Sequence, residues 1–597
     1  MTDAIRPARR RAAILVAAIA LGGLALRLWG AAFGLPAVYN PDEVAILTRA
    51  MALGTNHLDP GNFLYPSLYF YVLFAWEGLV FIGGWIAGVW PALADFERQF
   101  FVDPSPLYLA GRALSALLGA ATIIALYRLG SRLFDRTTGI VAAAFLAVSP
   151  IAVRDAHYVK HDVPVTLLIV LTCVVLARMW TDAQAGDGRD RRGGASRVRG
   201  ALLAGVLAGL AMSTHYYALF VMVPVALTAW VAAPAPTMAA RVRLLVTMGL
   251  AATVTFFAAS PFLLVEPATA VRDVLANREI VVDRAVAPAG LFGSLGAYLR
   301  LLVLDGLTWP LAAAAAAGLA VAIATRARAA LFVVAFPVAF LLFIANTVPA
   351  SRYLNPVLPF GALLAAVAVG AAAGRLPDGT GWTRRTGWTG WTGWATAGAT
   401  VALGAVALLA GVRSDRFFQQ ADTRTLAEAW IERSIPAGAT VLIQPYSVPL
   451  RPTRESLVEA LRAHLGSETR ASVKFQRQLA LDPYPAPAYR TIYLGRGGLD
   501  PDKIYVDPAA LGGEAGLAPL RALAVEYVVL KRYNDDRTFE PLRDALSRNG
   551  QVLMTFVPTR DADDAAGVEP FLHNTDARID PRLERPGPTI EIWRLHP

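Results

Sequence analysis

Long apolar runs separated by short polar segments fill the first two thirds of the chain. A bilayer core of roughly 30 Å takes about 20 residues per helix. On that measure spans are expected near residues 12–33, 108–127, 138–152, 163–180, 200–215, 217–233, 244–264, 301–323, 330–346, 353–373 and 394–411. Eleven spans put the two ends of the chain on opposite sides. The stretch from Phe63 to Leu93, with Trp76, Trp85 and Trp90, is also apolar. It is expected to lie at the interface or to re-enter, within a long first external loop covering 34–107.

The pattern changes after Gly411. Short β-rich runs (TVLIQP, RTIYLG, VEYVVLK, QVLMTFV, TIEIWRL) alternate with helical patterns such as TRTLAEAWIERS and EPLRDALSRNG. That alternation predicts a soluble α/β domain over 412–597. The expected fold class is therefore a polytopic α-helical membrane protein, residues 1–411, followed by that domain.

Charge fixes the direction of threading. Arg128, Arg132 and Arg136, the RDRRGGASRVR stretch, Arg241 and Arg243, Arg326 and Arg328, and Arg375, Arg384 and Arg385 all fall in loops on the side of the N-terminus. The positive-inside rule makes that side cytoplasmic and the C-terminal domain external, in the inner (plasma) membrane. A single crossing by the 63–93 stretch would reverse the pattern. The tandem GWTRRTGWTGWTGW from Gly381 reads as a linker on the inner side.

Composition agrees. Of 597 residues 55% are hydrophobic and 17% charged, too apolar for a soluble chain. The net charge of +10 comes largely from arginines that flank apolar runs, not from a basic stripe interleaved with aromatics, which excludes nucleic acid as a partner. Cys173 is the lone cysteine, so no intrachain disulfide forms. The first apolar run lacks a cleavage site and is expected to stay as a span.

Against this background the stretch VYNPDEVAILTRAM, Val38 to Met51, stands out. Asn40, Pro41, Asp42 and Glu43 fit the N-cap and first three positions of a helix, the acids complementing its dipole and Glu43 reaching back to the cap. An acid at that place on the water side of the bilayer is also positioned to take a proton from a hydroxyl. The other external loops carry cations. VRDAHYVKHDVPV holds Arg154, Asp155, His157, Lys160, His161 and Asp162, the last at the start of a span, where desolvating a charge is costly. STHYYA places His215 at a boundary and NTVPASRYLNPVLP places Arg352, for which snorkelling is the alternative reading. Together these residues suit a phosphate at headgroup level.

In order, PDE in a long first loop, PSLYFY, RLFDRTTG, HDVP, STHYYA and SRYLNPVLP resemble the GT-C superfold membrane glycosyltransferases. The resemblance is to glycosyltransferase family 39, the protein mannosyltransferase and aminoarabinose transferase group, over about residues 12–375. It implies a sugar donor carried on polyprenyl phosphate and inversion at the sugar carbon. On that reading Asp42 is the general base, with Glu43 and Asp162 positioning sugar or acceptor or holding a magnesium or manganese ion. Arg352, His215, Lys160, His161 and His157 bind the donor phosphate, and Tyr65 and Tyr353 contact substrate. Tyr65-Pro66 stands where many relatives have Lys-Pro, and His215 where a lysine is frequent. The acceptor is a protein, lipid or glycan. A transporter or flippase of lipid-linked sugars is the competing reading, although no internal repeat is visible; a non-catalytic assembly scaffold is a third.

Overall fold

A computed structural model describes residues 2–184, 193–233, 237–281, 290–373, 391–497, 500–511, 516–532, 539–561, 567–573 and 579–596. Arg375, Arg384, Arg385, the first part of RDRRGGASRVR and most of the tandem repeat lie outside them. The chain divides into two compact units. The first comprises Met1–Ala31, Asp42–Val80 and Tyr108–Asp415, the second Ala32–Pro41, Phe81–Leu107 and Arg416–Pro597. Two pieces of the first loop belong to the second unit.

In chain order the helices up to residue 184 are α1 (Thr2–Leu28), α2 (Pro41–Ala52), α3 (Leu68–Ile86), α4 (Leu93–Val102), α5 (Ser105–Leu133), α6 (Arg136–Val148), α7 (Pro150–Arg154) and α8 (Asp162–Gln184). There follow α9 (Gly193–Thr214), α10 (Met222–Ala232), α11 (Met238–Ala259), α12 (Phe262–Val265), α13 (Pro267–Val281), α14 (Gly290–Leu301), α15 (Trp309–Ile344), α16 (Leu358–Ala372) and α17 (Trp391–Phe418). Seven described helices are long and apolar enough to cross a membrane, or eight if the pair bent by 63° around Ser149 is one span. Two shorter apolar helices, Tyr216–Ala232 and Leu358–Ala372, accompany them. The chain is a multi-pass membrane protein.

Packing explains individual elements. Ala12 and Val16, one turn apart on α1, bury against Ile140 of α6. The RLFDRTTG motif is an N-cap: Asp135 accepts from the Thr138 amide at 2.9 Å and from its hydroxyl at 2.9 Å. Gly130 of α5 and Gly139 of α6 leave room for each other, since a Cβ on Gly130 would meet the Gly139 Cα at 2.9 Å.

The expected break between the spans near 301–323 and 330–346 is found at Arg326 (φ −146°, ψ 54°), within the arginine pair, where the two helices that make up α15 meet. One expectation changes. The stretch expected to stay out of the membrane contains α3, 19 residues with the length and composition of a span.

The second unit holds α18 (Thr423–Ser434), β1 (Thr440–Ile443), α19 (Arg454–Leu465), α20 (Val473–Leu479), β2 (Arg490–Leu494), β3 (Ile504–Val506), α21 (Ala518–Ala522), β4 (Tyr527–Arg532), α22 (Glu540–Asn549), β5 (Gly550–Phe556) and β6 (Thr589–Leu595). The sheet order is β3-β2-β1-β4-β6-β5. The first four strands are parallel, while β6 runs antiparallel to both β4 and β5. All four residues of β1 are buried, as befits a strand covered on both faces. Val441, Ile443 and Val529 point to one face with Ile431 of α18. Leu442, Val528 and Leu530 point to the other with Leu542 and Leu546 of α22. Tyr39 is also built into this unit, its hydroxyl 2.6 Å from Thr425 Oγ1 and its ring under the Arg424 guanidinium at 3.8 Å.

Candidate active site

Helix α2 begins at Pro41, so Asp42 and Glu43 stand in its first turn as the sequence predicts. The two neighbours then part company. Glu43 is fully buried and takes a two-point ion pair from Arg112 of α5, with a third hydrogen bond from the Val159 amide at 3.0 Å. It anchors α2 and the 158–162 loop to α5.

Asp42 has other partners. Its Oδ2 lies 3.3 Å from Lys160 Nζ and 3.4 Å from Arg352 Nη1. Burial works against the Asp42 charge, but Lys160 and Arg352 outweigh it and hold the carboxyl below its ordinary value. Burial likewise opposes the charge on Arg352, and Tyr353, Asp42, Tyr65 and Asp162 more than restore it.

Asp162 closes the group from the first turn of α8, accepting the Tyr217 hydroxyl at 3.4 Å. Tyr353 lies beside Arg352, its ring centre 5.2 Å from the guanidinium carbon. Tyr65 stacks on His161 with ring centres 4.3 Å apart and planes 7° apart, and presents its ring to the edge of His215 at 5.2 Å. Tyr69 and Phe70 complete the wall around His161.

The histidines differ from expectation in charge or place. Burial and the nearby Arg49 push His161 down to about 3, partly offset by Asp42, so its ring is neutral at physiological pH. Burial, His161 and Arg352 drive His215 well below its ordinary value, and its Nδ1 accepts the Tyr217 amide at 3.4 Å. Neither adds positive charge; the cations that face Asp42 are Lys160 and Arg352. His157 is elsewhere, fully buried, with its ring nitrogens 3.0 Å from the Val153 carbonyl and 2.9 Å from that of Trp29.

A network beneath Arg352 escapes a reading of the sequence. Arg154 binds Asp155 at 2.8 and 2.6 Å and the Ser351 hydroxyl at 2.7 Å. Asn355 donates to Asp155 at 2.6 Å and to the Arg352 carbonyl at 3.1 Å. The short turn Ser351–Leu354 is thereby pinned to the 150–162 segment. The two adjacent charges of Arg154 and Asp155 were the available signal; the partner turn lies about 200 residues on.

Among the described residues no three His, Cys, Asp or Glu side chains gather as metal ligands. With Asp42 facing two cations and Glu43 taken by Arg112, this donor set does not fit the magnesium or manganese ion kept open above.

Residues 107–264 match the family described as dolichyl-phosphate-mannose-protein mannosyltransferase. No curated protein matches the sequence. Among solved structures, ArnT from Cupriavidus metallidurans in the apo state is similar at 14% identity and TM-score 0.51, covering 97% of each chain. The same protein bound to undecaprenyl phosphate gives TM-score 0.48 at 14% identity and the same coverage. The Archaeoglobus fulgidus oligosaccharyltransferase AglB, in complex with an inhibitory peptide and a dolichol-phosphate, gives 0.47 at 13% identity over 92% of this chain and 73% of its own. The chain has the fold of the GT-C superfold membrane glycosyltransferases.

Proposed function

We propose that the protein transfers a sugar from a polyprenyl-phosphate donor to an acceptor hydroxyl at the outer face of the membrane, with inversion. The observation that carries this reading is a carboxylate, Asp42, facing two cations at 3.3 and 3.4 Å from segments far apart in the chain. A lipid phosphate is already a good leaving group, so the reaction needs a stronger nucleophile and a place for the departing charge.

Asp42 takes the acceptor proton as the acceptor oxygen bonds to the anomeric carbon. The bond from that carbon to the phosphate oxygen breaks, and its electron pair leaves with the polyprenyl phosphate. Lys160 and Arg352 receive the phosphate. They are also the groups that keep Asp42 a weak base in the resting protein. As the phosphate draws them off, Asp42 becomes more basic, so donor binding arms the base. Asp162, held by Tyr217, and Tyr65 border the place of the sugar. Glu43 holds the helix that presents Asp42. A protein, lipid or glycan is the acceptor, and the N-terminus lies in the cytoplasm of a cell whose inner membrane hosts the chain.

Turnover of radiolabelled polyprenyl-phosphate sugars in membranes carrying the protein, with Asp42→Asn as comparison, tests the proposal. Transfer that depends on Asp42 supports it; full transfer by the Asn variant removes the assignment. Movement of the intact lipid-linked sugar without transfer would favour a flippase.

A further inference from the structure

Asp42 has an anchor on each side of it in the chain. One residue on, Glu43 is tied to Arg112. Two residues back, at the N-cap position of α2, Asn40 is fully buried and its side-chain amide donates to the His573 carbonyl at 2.6 Å. Glu43 holds the helix; Asn40 has a different partner and a different task.

The anchor at Asn40 is built inside the second unit, to which residues 32–41 belong. His573 has a left-handed backbone, φ 63°, and its ring packs among Phe33, Phe418 and Phe571 with centres 4.5, 5.0 and 5.1 Å away. The Phe571 carbonyl in turn takes the Gly587 amide at 2.9 Å. The His573 carbonyl is therefore a fixed acceptor. Just before Asn40, the Tyr39 hydroxyl lies 2.6 Å from Thr425 Oγ1 and its ring lies under Arg424, which Asp422 grips at 2.8 and 2.7 Å. Only Pro41 stands between Asn40 and Asp42, and a proline ring locks its own φ at about −65°. What is fixed at Asn40 is thus passed on to Asp42 with little slack.

We infer that Asn40 is a positioning residue for Asp42: through the His573 carbonyl, the second unit sets where the base of the transfer reaction stands. This rests on the transfer reading of Asp42. A helix N-cap needs only an acceptor oxygen, which aspartate supplies as well as asparagine does. Asn40→Asp keeps that oxygen and the shape of the side chain, but turns the donor into an oxygen that repels the His573 carbonyl. Steady-state transfer by the full-length protein in nanodiscs, with rates expressed per folded protein, tests the inference. In Asn40→Asp, kcat falls by about 10- to 100-fold, the cost of a small misplacement. The KM for the donor does not rise, because Lys160 and Arg352, which receive the phosphate, are untouched. Tyr39→Phe, which removes one hydroxyl from the same segment, shifts kcat in the same direction by a smaller factor, and decides the matter should Asn40→Asp not fold. Parental kcat in these variants, or a donor KM that rises in step with the fall in kcat, reduces Asn40 to a cap or a structural contact and overturns the inference. Full transfer by Asp42→Asn is the separate result that ends the transfer reading; lost transfer there beside parental kcat in Asn40→Asp ends this inference alone.

Discussion

Glu43 and Arg112 meet in a forked ion pair, Nε to Oε1 at 3.0 Å and Nη2 to Oε2 at 2.9 Å, with both side chains fully buried. One position earlier, Asp42 is partly open and faces Lys160 and Arg352. Removing one partner of a buried pair strands the other charge and costs about 3–5 kcal/mol. Glu43→Ala therefore lowers the midpoint of thermal unfolding in detergent and the yield of folded protein. Asp42→Asn, which removes the charge of a partly open ion pair, lowers both by less than Glu43→Ala does and lowers the transfer rate by about 10²- to 10⁴-fold, the usual worth of a general base. Equal damage to the fold by both variants would contradict this division of labour.

The pH profile separates the resting from the loaded site. With the Asp42 carboxyl held below its ordinary value of 3.8, the limb of kcat/KM that belongs to Asp42 in the free enzyme lies below that value. The same depressed value means that the Asp42 charge stabilises the fold fully above about pH 3.8, and that this contribution fades as the pH falls through the folded value. Once phosphate occupies Lys160 and Arg352, the acid limb of kcat lies at a higher pH than that of kcat/KM. Neither profile shows a step near 6.5 from His161 or His215, which burial keeps neutral. Coincident acid limbs in the two profiles would count against donor-linked arming.

Arg352 depends on the turn below it. Asn355→Ala removes the bonds to Asp155 and to the Arg352 carbonyl. Small misplacements of a binding group cost up to about 10²-fold, so kcat/KM for the donor falls by about 10- to 100-fold. In Arg352→Gln the same change adds little, because the group it positions is gone. Steady-state kinetics of the two single variants and the double variant read this out; full additivity would disprove the coupling.

Transfer persists in EDTA. Lys160 and Arg352 supply the positive charge the leaving phosphate needs, and no group of metal-ligating side chains gathers among the described residues. A rate lost on chelation and restored by magnesium or manganese would reverse this expectation.

Helices α15 and α16 touch at Gly318, where a Cβ would run into the Leu364 carbonyl. Gly318→Val costs about 1–3 kcal/mol in overpacking, read as a lower fraction of monodisperse protein on size exclusion after mild heating. An unchanged profile would mean that the helices separate freely.

How much of this was legible in the sequence depends on how far each feature reaches. The α2 start, the RLFDRTTG helix boundary and the break at Arg326 are local, and their residues announce them. Asp42, Lys160 and Arg352 were legible as candidates, each standing at the edge of an apolar run. Glu43 was not legible as an anchor, because Arg112 lies in the middle of a helix 69 residues away. The charge state of His161 and His215 follows from burial by neighbours drawn from other segments, which a string of letters does not display. Five of the six strands, β1, β2, β4, β5 and β6, were marked by their β-rich runs. The three-residue β3, only partly buried, gave no comparable signal.

Strand β6 lies between β4 and β5, so it supplies hydrogen bonds to a neighbour on each side. A ribosome must have delivered residues 589–595 before the sheet can close. Until then β4 waits with a bare edge, and cellular surveillance of half-made membrane proteins has a defined target: a premature stop between Phe556 and Thr589 leaves both β4 and β5 without their shared partner.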